Sequence, residues 1–187
     1  MPEAGTVERK TVLKTVRISE SLARHLEKEA ADEGVTVNAD INAILSEHFE
    51  FNKKAREFGI ASAPKSILMS LIEAVDDKEV ARIGREVVPA VWKELAEFWS
   101  NDSSQEGILE SLAMRSKFNP TNRTRVTRDE DTFTVVLHHD FGPKWSLLNK
   151  NALQEFVRSS FHVEPQMSVG ESIVTARFKV NPRKSLT

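Results

Sequence analysis

The 187-residue sequence contains no cysteine. This absence excludes disulfide bonds, thiolate nucleophiles and cysteine-ligated zinc or iron–sulfur sites, and it is typical of a reducing compartment. The sequence also has no apolar run near the roughly 18 residues that a membrane-spanning helix needs. No apolar stretch typical of a signal peptide occurs in the opening residues, MPEAGTVERK. We therefore expect a cytoplasmic protein with no membrane partner.

Net charge of either sign is small. The 26 lysine and arginine residues against 28 aspartate and glutamate residues give a formal net charge of -2. This balance excludes a globally basic nucleic-acid binder, so any contact with nucleic acid must come from a local patch. Hydrophobic residues make up 40% of the chain, which is enough for a folded core.

Motifs of known enzyme chemistry are absent as well. The sequence contains no phosphate-binding loop, no nucleophile elbow, no HExxH motif and no paired-carboxylate signature. We therefore expect neither enzymatic activity nor a bound cofactor.

A short segment with strand character is present near the start. Residues 11–19 are rich in threonine, valine and isoleucine, and Val16 and Ile18 alternate with Thr15 and Arg17. This alternation predicts a half-buried strand with the two apolar side chains on one face. Basic residues cluster in and before this strand, and they are Arg9, Lys10, Lys14 and Arg17.

Two helices are predicted to follow the strand. Leu22, Leu26 and Ala30 recur every four residues and predict a helix over residues 20–33. Its capping candidates are Ser19, Ser21 and Gly34. A second helix begins after a candidate N-cap and keeps a helical period up to a glycine. The residues that define it are Thr36, Ile41, Ile44, Leu45, His48, Phe49, Ala55, Phe58 and Gly59.

A break of small residues and proline between Ala61 and Pro64 predicts a boundary between two domains, 1–60 and 61–187. The second domain is predicted to contain helices followed by a β-β-α-β-β layer, which makes the fold class α+β. Its predicted helices are 65–75, 77–99 with a kink or break at Pro89, 105–116 and 144–161. Its predicted strands are 123–127, 132–139, 162–168 and 172–180.

The strand near the start has no second strand close to it in the sequence. A lone strand is not stable in water, because its apolar face and its backbone hydrogen-bonding groups need partners. A two-fold dimer solves this problem, since the strand then pairs antiparallel with its own copy. In that arrangement Val16 and Ile18 face the helices, whereas Leu13, Thr15 and Arg17 face outward. A two-stranded ribbon of this kind fits the major groove of DNA.

These residues carry a family resemblance. The stretch KTVRISESLARHLEKEAADEGVTVNADINAILSEHF, within residues 10–58, resembles a ribbon-helix-helix DNA-binding domain. The wider layout is similar to a group of archaeal predicted transcription regulators, in which such a domain precedes a helical and α+β region with a His-Asp-x-Gly-x-Lys-Trp-Ser motif. Here that motif spans His139 to Ser146.

The resemblance implies an intertwined homodimer, or a higher oligomer, that binds double-stranded DNA as a transcription regulator. Its base-contacting positions fall on Leu13, Thr15 and Arg17. Leu13 departs from the usual polar residue, and Lys14 takes its place if the register differs. Contacts with the DNA backbone are expected from Lys10, Lys14, Thr36, Val37 and Asn38. No metal-binding or catalytic residue is expected.

Other functions remain open at this stage. An antitoxin uses the same kind of N-terminal domain, although with a short tail that wraps a toxin. A ligand- or metal-responsive repressor senses its signal through the C-terminal domain, and a pure interaction scaffold has no DNA role. The metal-type side chains that cluster are His138, His139, Asp140 and His162. The turn at 140–145 is either structural or a ligand site, and the aromatic residues of helix 77–99 form core or dimer interface.

Overall fold

The structure is a computed structural model that describes residues 11–118 and 122–180. The described chain falls into two compact units, divided between Ser46 and Glu47. It combines helices with an antiparallel four-stranded sheet, which confirms the predicted α+β class. No helix within the described ranges has both the length and the apolar character required to cross a membrane.

The first unit contains helix α1 (Glu20–Glu33) and all but the last residue of helix α2 (Val37–Glu47). The Ser19 side chain accepts a hydrogen bond from the backbone N–H of Leu22 at 3.3 Å and caps the start of α1. Gly34 ends α1 with a φ of 69°, which only glycine adopts without steric cost. Both ends of the first predicted helix are therefore confirmed.

Residues 11–19 differ from their prediction. They pair with no strand of the described chain, and the half-buried strand predicted there is absent from the single subunit. The side chains of Val12, Val16 and Ile18 are 79%, 73% and 45% exposed. The reason is that none of the strands in the described chain pairs with this segment.

The second predicted helix continues into the second unit, but its register changes. A π-helical turn (His48–Asn52) leads from α2 into α3 (Lys53–Phe58), and Gly59 ends α3 with a φ of 89°. A π-helical turn is wider than an α-helical one and therefore rotates the residues that follow it. As a result Phe51 packs in the core, whereas Phe49 is 60% exposed, so the predicted helical face was wrong at Phe49.

Four helices and a short 3-10 turn follow: α4 (Lys65–Ala74), α5 (Asp77–Glu86), α6 (Val88–Ser100), α7 (Gln105–Arg115) and the turn Ser116–Phe118. The predicted break at Pro89 is confirmed, because α5 and α6 are separate and the proline occupies the first turn of α6. Gly84 lets α5 lie close to the next long helix, since a Cβ there would meet the carbonyl oxygen of Leu148 at 2.5 Å.

The sheet consists of β1 (Asn122–Asp129), β2 (Thr132–His139), β3 (Gln166–Val169) and β4 (Ile173–Lys179). Helix α8 (Pro143–Phe161) connects β2 to β3, and the strands lie in the order β1-β2-β4-β3 with antiparallel neighbours throughout. Alternate residues of β2 and β4 are buried, as expected for a sheet with one covered face.

One apolar core lies between the covered face of the sheet and the helices. The residues at its centre are Leu109, Val135, Leu153, Phe156, Val157, Val174 and Ala176. A smaller cluster joins Phe51, Ala55 and Phe58 to Leu95 and Trp99 of α6. This smaller cluster explains why the division between the compact units lies near residue 47 rather than at the predicted boundary of 60/61.

Candidate nucleic-acid interface

The three predicted base-contacting residues are accessible to a partner. Leu13 is 94% exposed, and Thr15 and Arg17 are exposed as well. Lys14, predicted to contact the DNA backbone, is exposed, whereas Lys10 lies outside the described residues. The single chain leaves both sides of this segment open, so exposure by itself does not separate an outward from an inward face.

The basic side chains of this segment are free to meet a charged partner. Neither Lys14 nor Arg17 forms an ion pair or a side-chain hydrogen bond with any residue of the described chain. An arginine without an internal partner retains all five of its N–H donors. Two such cations within four residues therefore form a local positive patch in a chain whose overall charge is negative.

The start of α2 holds the remaining predicted contacts. The Thr36 hydroxyl oxygen accepts a hydrogen bond from the backbone N–H of Ala39 at 3.1 Å, so Thr36 caps the helix as predicted. The N–H groups of Val37 and Asn38 donate to no residue of the described chain. Free N–H groups in the first turn of a helix point outward along its axis and attract anions.

The His139 turn, defined here as residues 139–146, is held together by its own polar side chains. The backbone N–H of Phe141 donates to Nδ1 of His139 at 3.3 Å, which leaves the proton of a neutral imidazole on Nε2. That Nε2–H donates to the Ser146 hydroxyl at 2.9 Å, and the hydroxyl in turn donates to the carbonyl oxygen of Gly170 at 2.7 Å. The chain of hydrogen bonds joins the end of β2, the start of α8 and the β3–β4 turn.

Two lysines fasten the same turn to α4. Lys144 Nζ donates to the carbonyl oxygen of Glu73, in the last turn of α4, at 2.8 Å. It also donates to the carbonyl oxygen of Val75, the C-cap of α4, at 2.5 Å. Lys65 pairs with Asp140 at 2.7 Å. Because the Lys144 ammonium lies at the carbonyl end of α4, its positive charge also stabilises the dipole of that helix.

The aromatic rings of the turn pack on each other. The ring centroids of Phe141 and Trp145 lie 4.7 Å apart, and Phe141 is buried. The indole N–H of Trp145 is the one polar atom of this turn that is buried without a hydrogen-bond partner in the described chain. The geometry thus favours the structural interpretation of the turn over a ligand site, because its charged and hydroxyl side chains are already engaged within the fold.

The histidines of the proposed metal cluster do not converge. His138 and His139 are adjacent on β2 and point to opposite faces, as expected from strand geometry, with His138 exposed and His139 buried. Within residues 11–118 and 122–180, no three histidine, aspartate or glutamate side chains are grouped so as to hold a metal ion.

The aromatic side of α6 belongs to the core of the second unit. Trp92, Leu95 and Trp99 are buried, and Phe98 is 41% exposed. The indole N–H of Trp99 donates to the carbonyl oxygen of Glu50 at 3.0 Å. Of the two predicted roles for these residues, the structure favours core for the buried three.

Sequence reasoning missed a basic surface on the second unit. Arg123 and Arg125 of β1 and Arg177 of β4 are exposed on the face of the sheet that no helix covers. The signal was present in the period-two alternation of β1, where arginine occupies two alternate positions, 123 and 125, and threonine the third.

Comparison with known proteins adds no family to this description. Neither a scan of the sequence against protein-family models nor a search of curated proteins gives a match. Functional conclusions therefore rest on the residues and their geometry, together with the resemblance of residues 10–58 described above.

The His139 turn predicts a stability that depends on pH. Burial lowers the pKa of His139 below its ordinary value, and the negative charge of Asp140 opposes this effect only in part. The unfolded chain therefore binds a proton at higher pH than the folded chain, so folding stability is full above about pH 6.5 and falls as the pH decreases from there. The slope contributed by this one group reaches at most about 1.4 kcal/mol per pH unit.

Chemical denaturation between pH 8 and pH 5 measures this effect. We expect His139→Gln to have a lower free energy of unfolding at pH 8 and a flatter pH profile than the wild type. The matched control is His138→Gln on the exposed side of the same strand. It removes only the smallest of the effects on the His139 pKa, the repulsion from His138, so its profile should stay much closer to that of the wild type. Equal slopes for the wild type and His139→Gln would show that His139 does not titrate as described.

Proposed function

We propose that the protein is a site-specific, DNA-binding transcription regulator that acts as a homodimer. In this proposal the 11–19 segments of two copies pair as an antiparallel ribbon, and the ribbon enters the major groove of double-stranded DNA as in a ribbon-helix-helix domain. The observation that carries the proposal is that the first unit leaves most of its larger apolar side chains exposed and its segment 11–19 without a strand partner in the described chain.

The apolar surface of the first unit supports a second copy as the partner. Among its described apolar residues, Leu26 and Ala30 are buried. Many others are between 44% and 94% exposed, namely Val12, Leu13, Val16, Ile18, Leu22, Val35, Ile44 and Leu45. A unit of this size buries too little surface to be stable alone, and association of two copies is the usual remedy.

The alternation along the segment assigns the two faces of the ribbon. Val16 and Ile18 face the helices of the dimer, whereas Leu13, Thr15 and Arg17 face the bases. The Arg17 guanidinium matches the O6 and N7 acceptors of guanine, which is worth about 1–3 kcal/mol of discrimination against other bases. Leu13 suits an apolar contact with a thymine methyl group, and Thr15 suits a short hydrogen bond or a methyl contact.

Contacts with phosphates complete the interface and fix its register. Lys10 and Lys14 bring positive charge to the backbone, and the free N–H groups of Val37 and Asn38 at the start of α2 are positioned to receive a phosphate, with Thr36 as the cap. These contacts carry no sequence information. They make the affinity depend strongly on salt.

The second unit favours a regulator over an antitoxin. Antitoxin tails of the kind considered above are short and wrap a toxin, whereas this chain has a sheet, several helices and a continuous apolar core after residue 47. A unit with its own core is suited to oligomerisation or to signal sensing.

Arg17 provides the test of base recognition. Selection from a random duplex library at two salt concentrations should recover a motif with two-fold symmetry for the wild type. We expect Arg17→Ala to lose a guanine preference in each half-site and about 1–3 kcal/mol of binding free energy at that position. The control Arg24→Ala removes an arginine that is 71% exposed on α1 and paired with Glu20, and it should recover the wild-type motif. Weak binding of all three proteins without a motif would contradict base recognition.

Neighbouring substitutions on the segment separate dimerisation from DNA binding. Val16→Glu places a charge on the face proposed to meet the helices, so we expect sedimentation equilibrium to give the monomer mass of 21.1 kDa. Thr15→Glu places the same charge on the opposite face, so it should remain a dimer but lose duplex binding through repulsion of the phosphates. The assignment of faces is wrong if the two variants behave alike or if their roles are exchanged.

A further inference from the structure

One face of the four-stranded sheet is covered by none of the described helices of the second unit. The register places the following outward side chains on it, none of them buried: Arg123, Arg125, Thr127, Asp129, Thr132, Thr134, Val136, His138, Gln166, Ser168, Ile173, Thr175, Arg177 and Lys179. We call this surface the basic sheet face. It belongs entirely to the second unit.

Positive charge dominates this face. Arg123, Arg125 and Arg177 are exposed, and their guanidinium groups form no ion pair or hydrogen bond with any described residue. Lys179 pairs with Asp131 at 3.4 Å but is itself 70% exposed. Among the outward residues of the described strands, Asp129 is the one acid. An ordinary solvated surface intersperses charges of both signs. This face instead carries three arginines without an ionic partner, in a chain whose net charge is -2.

The register fixes the spacing of the arginines. Arg123 and Arg125 are two residues apart on β1, about 7 Å along the strand. Arg177 lies on β4, which is two strands away from β1, or about 10 Å across the sheet. Along the strand direction, Arg177 is one outward position beyond Arg125. The outward side chains between the arginines are short: two threonines and a valine, namely Thr134, Thr175 and Val136. Cations at this spacing can contact several phosphates of one nucleic-acid backbone at once.

The chemistry of the face identifies a phosphate backbone rather than unpaired bases. Proteins that hold single strands stack the bases on aromatic side chains, and no outward residue of the described strands is phenylalanine, tryptophan or tyrosine. Threonine and arginine are instead the side chains that commonly contact phosphate oxygens in duplex complexes. We propose that the basic sheet face binds the phosphate backbone of duplex DNA, as a second and sequence-independent contact in addition to that of residues 11–19.

This inference rests on the proposed function in taking duplex DNA as the ligand, but its residues are separate from those that read bases. A second phosphate contact raises the affinity for all sequences alike and leaves the selected motif unchanged. It also steepens the salt dependence, because each neutralised phosphate adds about 0.9 to the slope of log K against log salt. With one phosphate per arginine, three arginines make the loss of affinity between about 50 and about 200 mM salt roughly 40-fold larger.

The test compares three variants of the full chain with the wild type. The face variant is Arg123→Gln, Arg125→Gln and Arg177→Gln together. The matched control, Lys78→Gln, Lys93→Gln and Lys150→Gln, removes the same charge from helices α5, α6 and α8 at lysines without a described ion pair. Arg17→Ala serves as the base-reading variant. Affinity for a random-sequence duplex and for a single strand of equal length is measured over a range of salt concentrations.

We expect the face variant to bind duplex more weakly, with the salt slope reduced by about 3 per chain, and to select the same motif as the wild type. The control variant should bind as the wild type does. Equal slopes for the face variant, the control and the wild type would overturn the inference while leaving the proposed function intact, since that function depends on Arg17. If the three arginine substitutions weaken binding to the single strand but not to the duplex, the assignment of duplex DNA as the ligand is wrong. Absence of any duplex binding by the wild type would overturn both proposals.

Discussion

Within the described residues, the segment at 11–19 has no strand to pair with and leaves its apolar side chains exposed, and the proposed dimer follows from this constraint. Burying a valine or isoleucine side chain is worth about 1.5–3 kcal/mol. In the single subunit Val16, at 73% exposed, forgoes most of that gain, and Ile18, at 45% exposed, forgoes nearly half. A second copy offers both an apolar surface and a hydrogen-bonding edge. In the proposed dimer, the alternation that buries these two residues also turns Thr15 and Arg17 toward the DNA.

The second unit contributes in a different way, because it is stable around its own core. The His139 turn ties β2, α8 and the β3–β4 turn into one body, and Lys144 fixes the end of α4 to it. A rigid sheet of this kind can hold Arg123, Arg125 and Arg177 at fixed separations without an internal counter-ion. The two proposals assign base reading to the first unit and phosphate binding to the second, so that each relies on a local basic surface of a chain with net charge -2.

Features that depend on local sequence were predictable, and those that depend on tertiary contacts were not. The bounds of α1 follow from Ser19 and Gly34, and the separation of α5 from α6 follows from Pro89. The π-helical turn has no signature in the apolar period, so the inward position of Phe51 could not be inferred. In the candidate interface, exposure of the predicted residues follows from their place in a lone segment. The basic sheet face required strand register, which sequence alone does not provide.

Pairing of two 11–19 segments is measured most directly by a single-cysteine scan. Because the sequence contains no cysteine, one introduced at each position from 11 to 18 in turn can form a disulfide only with a second copy. In an antiparallel two-fold ribbon, residues near the axis face their own copies at about 4.5–5.5 Å between Cα atoms, within the range of a disulfide. The account predicts one maximum of cross-linking within the segment and a decline on both sides. Uniformly low cross-linking at all eight positions would contradict it.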